Sequence, residues 1–361
     1  MTFDDQIAHS RDADVDAEID AVCERYARFA REEAPRRSPL YARWAQRVVE
    51  GRDAAAVLAR IAPAHRQPAL VFAVTRMLGC GQVPAEQWAA WLTAHADEVV
   101  AECMRRSVQT NEPLRCAALV PALSVIDGPI ALLEVGASAG LCLYPDRYSY
   151  RYEHDGGVCA LDPDDGVSPV VLHAQWRGPL ADLRLPEVVW RAGIDLQPRD
   201  ARDAADRAWL EGLVWPGEQG RAARVRAALE VAAAAPPHLI AADAADALAD
   251  VAADVLARVP AEATLVVTTP GVLVHVPQAA RERIVAAAGT VGRWITMDAV
   301  GLHSAVRGQW HPPPDAAAWP NGAFALAVDG TVVAAVDPLG AIVRPIGAGM
   351  EWRDRKASAR R

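Results

Sequence analysis

The 361 residues, 52% of them hydrophobic, can bury a full core and fit two domains better than one. The 37 basic and 46 acidic side chains leave a net charge of -9, a field that repels phosphate backbones and anionic membrane surfaces. Nucleic acid is therefore not an expected partner, although a local basic patch on an acidic chain leaves an RNA substrate open.

The chain opens on MTFDDQIAHSRDADVD, which is acidic and has no apolar centre, and no run of about 18 apolar residues follows anywhere. Neither a secretory signal nor a membrane span is expected. The six cysteines, Cys23, Cys80, Cys103, Cys116, Cys142 and Cys159, form no C-x-x-C pair. In a chain this long that spacing points to buried thiols in a reducing compartment, the cytoplasm, rather than to a disulfide framework.

From about Asp16 to Val125 apolar residues recur at spacings of three and four: Ile19, Val22, Tyr26, Phe29; Leu40, Trp44, Val48; Leu70, Val71, Val74, Leu78. That period predicts five or six short helices, an all-helical N-terminal domain over residues 1–126. Ser38-Pro39 sets a cap before a proline at a first helical position, and Gly79 to Gly81 stops another helix.

After Asp127, Gly128 and Pro129 the pattern changes to apolar runs separated by helical segments. Strands are expected at 130–135, 189–194, 237–241, 263–268 and 292–297, with helices at 202–212, 218–234, 244–258 and 277–288. Such alternation predicts an α/β domain over 127–347, built on a doubly wound, mostly parallel sheet with helices on both faces. GAFALAVDGTVVAAVDPLGAIVRP reads as strand, Asp329-Gly330 turn and strand, a C-terminal antiparallel hairpin at the sheet edge. Residues 348–361, with Arg353, Arg355, Lys356, Arg360 and Arg361, read as a solvated basic tail.

Sheets of this kind bind ligands beyond the carboxyl ends of their strands, so the residues there bear the chemistry. IALLEVGASAGLCLYPDRY delivers Glu134 into a turn of Gly136, Ser138 and Gly140, where glycine lets a small-molecule ligand approach the backbone. The next strand ends at Asp195, and the third at Asp243 with Asp246 one turn on. An acid after the second strand suits ribose hydroxyls and one after the third an adenine amino group, which outlines a nucleoside pocket. A plain strand-to-helix turn at Gly136 and Gly140, and helix caps at Asp195 and Asp243, account for the same residues without a ligand.

Thr110, Asn111, Glu112 and Arg115 precede the first strand and can either close over the pocket or start a helix over 113–125. Asp146, Arg147 and Tyr148 follow the glycine turn, with Arg147 able to pair with a local acid. His275 follows the fourth strand as a weak catalytic candidate beside Asn111 and Glu112; His303 and His311 flank the loop HPPPD. No H-E-x-x-H, paired-histidine spacing or cysteine quartet occurs, so no metal site is expected. Trp176, Trp190, Trp209, Trp215 and Trp310 are assigned to packing.

The acidic-x-Gly-x-Gly-x-Gly turn, with Ser138 in place of the middle glycine, and the closing hairpin resemble the class I S-adenosylmethionine-dependent methyltransferases. More closely, the chain resembles a bacterial family known as domain of unknown function 2332. The likeness runs through QTNEPLRCA (109–117), LLEVGASAGLCLYPDRYSY (132–150), RAGIDLQPRD (191–200) and the segment around WLEGLVWP (209–216). The chain departs from that pattern at Cys142, where asparagine is expected, and at Thr269-Pro270, where His-Ser is expected. The resemblance implies a Rossmann-like domain in which Glu134, Gly136, Ser138, Gly140, Asp195 and Asp243 hold S-adenosylmethionine, and it implies methyl transfer to a substrate that it does not name.

Two other functions start from the same residues. Gly136, Ser138 and Gly140 also spell the G-x-S-x-G nucleophile elbow of α/β-hydrolases, and Ser138, then Asp243 or Asp246, then His275 or His303 is a compatible triad order. Against it stand the missing His-Gly-Gly segment, the charge of Glu134 beside the nucleophile strand, and the turn's position on the first strand. A nucleoside-binding or partner-binding protein that keeps the fold without its chemistry is the third.

Overall fold

A computed structural model describes residues 3–179, 182–303 and 322–346. The basic tail, His311 and Trp310 lie outside these residues, and so does the side chain of His303. Helices α1 (Phe3–Arg28), α2 (Pro39–Glu50), α3 (Arg52–Ala59), α4 (Pro68–Met77), α5 (Ala85–Ala94), α6 (Ala96–Arg105) and α7 (Cys116–Leu123) come first. Strands β1 (Pro129–Val135), β2 (Ser149–His154), β3 (Gly157–Leu161), β4 (Val171–Trp176) and β5 (Glu187–Asp195) follow, then α8 (Ala204–Gly212), α9 (Arg221–Ala234), β6 (His238–Ala241) and α10 (Ala244–Leu256). The chain continues through β7 (Thr264–Pro270), α11 (Gln278–Val291), β8 (Arg293–Ala299), α12 (Val300–His303), β9 (Phe324–Val328), β10 (Thr331–Val336) and β11 (Ile342–Pro345). Among the described residues no helix is long and apolar enough to cross a membrane.

Contacts divide the chain into two compact units, residues 1–110 with 205–223 and residues 111–204 with those from 224 onward. The first is helical. Ser38 Oγ accepts the Tyr41 N–H at 3.2 Å and Pro39 occupies the first turn, so α2 starts where the sequence signals it. Tyr41, Trp44, Phe72 and Trp88 are buried together; the Trp44 and Trp88 rings stack at 5.4 Å and Phe72 meets Trp88 edge-on. Trp215, from the returning segment 205–223, joins them at 5.2 Å from Phe29, and Arg37 covers its ring at 3.7 Å. Arg76 secures that segment by donating to the carbonyls of Gly212 and Val214.

The second unit is an 11-stranded sheet in the order β3-β2-β4-β11-β10-β9-β8-β7-β1-β5-β6. Its parallel centre, β8-β7-β1-β5-β6, is made of the five strands read from apolar runs. Ala131, Leu133 and Val135 of β1 project into one core cluster with Leu248 and Val255 of α10 and Ile284 and Ala288 of α11. Strand alternation sends Leu132 and Glu134 to the opposite face.

The hairpin β9–β10 forms through Asp329-Gly330 as expected, antiparallel to β8. It is not at the sheet edge. β11 adds to β10, β4 to β11, then β2 and β3, so the hairpin is interior and the edges are β3 and β6. The strands β2, β3 and β4 fall in a stretch for which the apolar runs predicted nothing. All six cysteines are free; four are buried, and Cys23 and Cys159 are partly exposed.

Candidate functional site

The carboxyl end of β1 leads directly into the glycine turn, and the turn is held from two sides. Gly136 and Ala137 both donate their N–H groups to the Ile194 carbonyl at the end of β5, at 2.8 and 3.3 Å. Asp195 Oδ2 accepts the Ser138 N–H at 2.8 Å, and its Oδ1 accepts the Gln197 N–H at 2.7 Å. From the other side the Asn111 amide donates to Ser138 Oγ, while its Oδ1 accepts the Ala139 N–H at 3.3 Å. Gly136, Ser138 and Gly140 all take positive φ, +74°, +50° and +71°, which glycine adopts without cost and serine does not. At Gly136 space matters too: a Cβ there would lie 2.4 Å from Val272 Cγ2, in the loop after β7.

Glu134 sits one residue before the strand ends, level with Gly193 of β5 and Thr268 of β7. Only 4% of it is exposed, and Oε2 has no hydrogen-bond partner. Burial pushes its carboxyl well above the usual carboxylate range, and Cys142 adds to that rise while Arg115 opposes it. Arg115 reaches over the end of β7, donating to the carbonyls of Pro270 at 2.7 Å and Pro338 at 3.0 Å. Cys142 is buried, its thiol 3.5 Å from the Glu112 carbonyl.

A further acid ends β8. Asp298 is fully buried and accepts the N–H groups of Leu273 and Val274 at 3.0 and 3.3 Å, which fixes the loop that carries Val272. Burial raises its carboxyl to about 7 against the pull of those two N–H groups and of Arg115 and Arg281. Asp298 is not among the residues expected above, although ITMD places an acid at the end of an apolar run, the signal that selects Glu134 and Asp195.

The structure thus brings together Asn111, Glu134, Gly136, Ser138, Gly140 and Asp195. Asp243 stands apart from that turn in what it binds: it is exposed and caps α10, Oδ1 accepting the Ala245 N–H at 2.8 Å. Asp246 pairs with Arg283 at 2.9 Å. Glu112 is buried, paired with Arg224 at 2.8 Å and bound to the Leu114 N–H, so it starts the short turn 113–115 ahead of α7. Its partner, 112 residues away in sequence, gave no local signal. Asp146 pairs with Arg191, Arg147 lies near Asp146 and Asp165, and the Tyr148 hydroxyl donates to the Leu141 carbonyl at 2.8 Å. Thr110 belongs to the first unit, where its carbonyl accepts from Arg221.

The triad order is not assembled among the described residues. Ser138 is buried with its hydroxyl bound by Asn111, and no described histidine hydrogen-bonds it. His275 lies on a single turn after β7, where partial burial first and the charge of Arg115 second lower the pKa of its imidazole.

A family model described as "Uncharacterized protein conserved in bacteria (DUF2332)" matches residues 23–343. No curated protein and no solved structure matches the chain.

Proposed function

We propose that this chain, which belongs to the uncharacterized bacterial family DUF2332, binds S-adenosylmethionine where β1 and β5 end and directs its methyl group to a small-molecule acceptor. The Glu134 carboxylate carries the proposal. A buried acid with an unpartnered oxygen is costly unless a partner of opposite charge reaches it, and the donor's ammonium group is such a partner.

Support also comes from strand order. Numbered along the chain, β8-β7-β1-β5-β6 runs 5-4-1-2-3, the order of Rossmann-like sheets, which bind ligands at the strand where the order reverses. That strand is β1. The donor set fits in part. Each oxygen of Asp195 takes one backbone N–H, and a carboxylate has about four lone-pair sites, so acceptor capacity is left for ribose hydroxyls. Leu196 beside it is 74% exposed and offers an apolar surface to a ring. Asp243 contributes less, since capping α10 already occupies one of its oxygens.

When bound, the sulfonium donor supplies a methyl group already activated for transfer. The protein's own work is then to orient and to exclude water. Glu134 holds the charged end, and the Asn111 and Asp195 hydrogen bonds keep the Ser138 turn from yielding as the ligand enters.

Calorimetry with S-adenosylhomocysteine tests this. Saturable binding to the wild-type protein is expected, weakened at least tenfold in Glu134→Gln, which keeps the side chain's shape. Absence of binding to the wild type, or equal binding to Glu134→Gln, overturns the proposal. Binding without methyl transfer to any class of nucleophile would leave the site and remove the reaction.

A further inference from the structure

Arg115, on the short turn 113–115 ahead of α7, is clamped over the end of β7. Nε donates to the Pro338 carbonyl at 3.0 Å and Nη1 to the Pro270 carbonyl at 2.7 Å. Gly271 completes the clamp: it takes a φ of +72°, and a Cβ there would stand 2.6 Å from Nη2, so a residue without a side chain gives the guanidinium room to lie on the backbone. Backbone groups, not an acid, fix this cation in place.

A guanidinium has five N–H donors and stays charged at any pH a protein meets, and the two bonds to carbonyls leave both hydrogens of Nη2 unused. Among the described residues no carboxylate pairs with it. Its charge nevertheless reaches Glu134, whose carboxyl it pulls down against burial. Opposite charges this close ordinarily pair, but here each is tied elsewhere. Glu134 is fixed on β1 level with Thr268, and the Pro270 carbonyl that holds Arg115 lies two residues farther along β7, roughly 7 Å by strand rise. Glu134 Oε2 therefore lacks a donor and Arg115 Nη2 lacks an acceptor, and the fold keeps the two apart.

A ligand that satisfies both groups carries a cation and an anion close together. An α-amino acid does: its ammonium and carboxylate sit on one carbon, and charge-assisted hydrogen bonds of about 2.8 Å at each end bridge a gap of this order. We propose that Arg115 receives the α-carboxylate of the methyl donor while Glu134 receives its ammonium, so that the two residues read the donor's amino-acid end as a zwitterion and disfavour adenosyl amines that lack the carboxylate. This rests on the donor reading given above and adds the residue that sets its specificity. Arginine suits the role better than lysine, because its planar fork can hold two backbone carbonyls and a carboxylate at once.

The test is calorimetry with S-adenosylhomocysteine and its decarboxylated analogue, which keeps the adenosine, the thioether and the amine. The wild-type protein should bind S-adenosylhomocysteine about tenfold tighter or more, the loss expected when one charge-assisted hydrogen bond is removed. Arg115→Gln should abolish that preference by weakening S-adenosylhomocysteine alone, whereas Glu134→Gln should weaken both ligands alike, because both keep the amine. Arg115→Lys, which keeps the charge but not the fork, should lose part of the preference, and it reads the same role should Arg115→Gln not fold. If Arg115 only ties the loops together, its replacement weakens both ligands equally, and that result overturns the proposal. Equal binding of the two ligands by the wild type also overturns it while leaving the donor site standing; a wild type that binds neither removes both.

Discussion

Gly136 directly follows the end of β1, and a side chain from a loop more than 130 residues downstream confines it: the methyl groups of Val272 fill the space beside it. Two separable costs follow for Gly136→Ala. The positive φ costs about 1–2 kcal/mol for any residue with a Cβ, and the 2.4 Å approach to Val272 adds a steric cost of about 1–3 kcal/mol. Gly136→Ala should therefore lose about 2–5 kcal/mol in urea unfolding, and Gly136→Ala measured in a Val272→Ala background should lose less, because the Cγ2 contact is gone while the Cβ of residue 272 stays 2.9 Å away. Equal losses in both backgrounds would mean that Val272 does not confine the turn.

The two loops at the end of β1 are braced in the same way, by an acid at the end of a neighbouring strand that accepts backbone N–H groups. Asp195 braces residues 136–140 and Asp298 braces residues 271–275. Asp298 brings a pH dependence. In the folded protein its proton is held to about pH 7, whereas the unfolded chain releases it near its ordinary value of 3.8. Between these values the native state binds more protons, so this group's contribution to stability is full below about pH 4 and is lost as pH rises through 7. Asp298→Asn cannot titrate. The wild type should lose a few kcal/mol relative to Asp298→Asn between pH 5 and pH 8, and parallel stability curves would contradict the assignment. The five parallel strands were readable because each is a continuous apolar run, the mark of a strand covered on both faces. β2 was missed because SYRYEH alternates instead: Tyr150 and Tyr152 are buried, and Arg151 and Glu153 point outward. Without β2 to β4 the hairpin reads as an edge, which is why its interior position could not be foreseen.

Across the whole chain, helical periodicity identified the character of the first unit, but not that residues 205–223 return to it. Trp215 belongs to the aromatic cluster of Phe29 and Tyr41 through contacts that span more than 170 positions, and residue period carries no information at that range. In the proposed function a ligand's positive charge completes the Glu134 carboxylate. Burial holds Glu134 toward its protonated form, and an ammonium partner favours the ionised one, so binding should expel a proton. Calorimetric titration of S-adenosylhomocysteine near pH 7, repeated in buffers of different ionisation enthalpy, counts that proton. Net proton release by the wild type that is absent in Glu134→Gln is the predicted result; the same proton count in both proteins, or no binding in either, would contradict it.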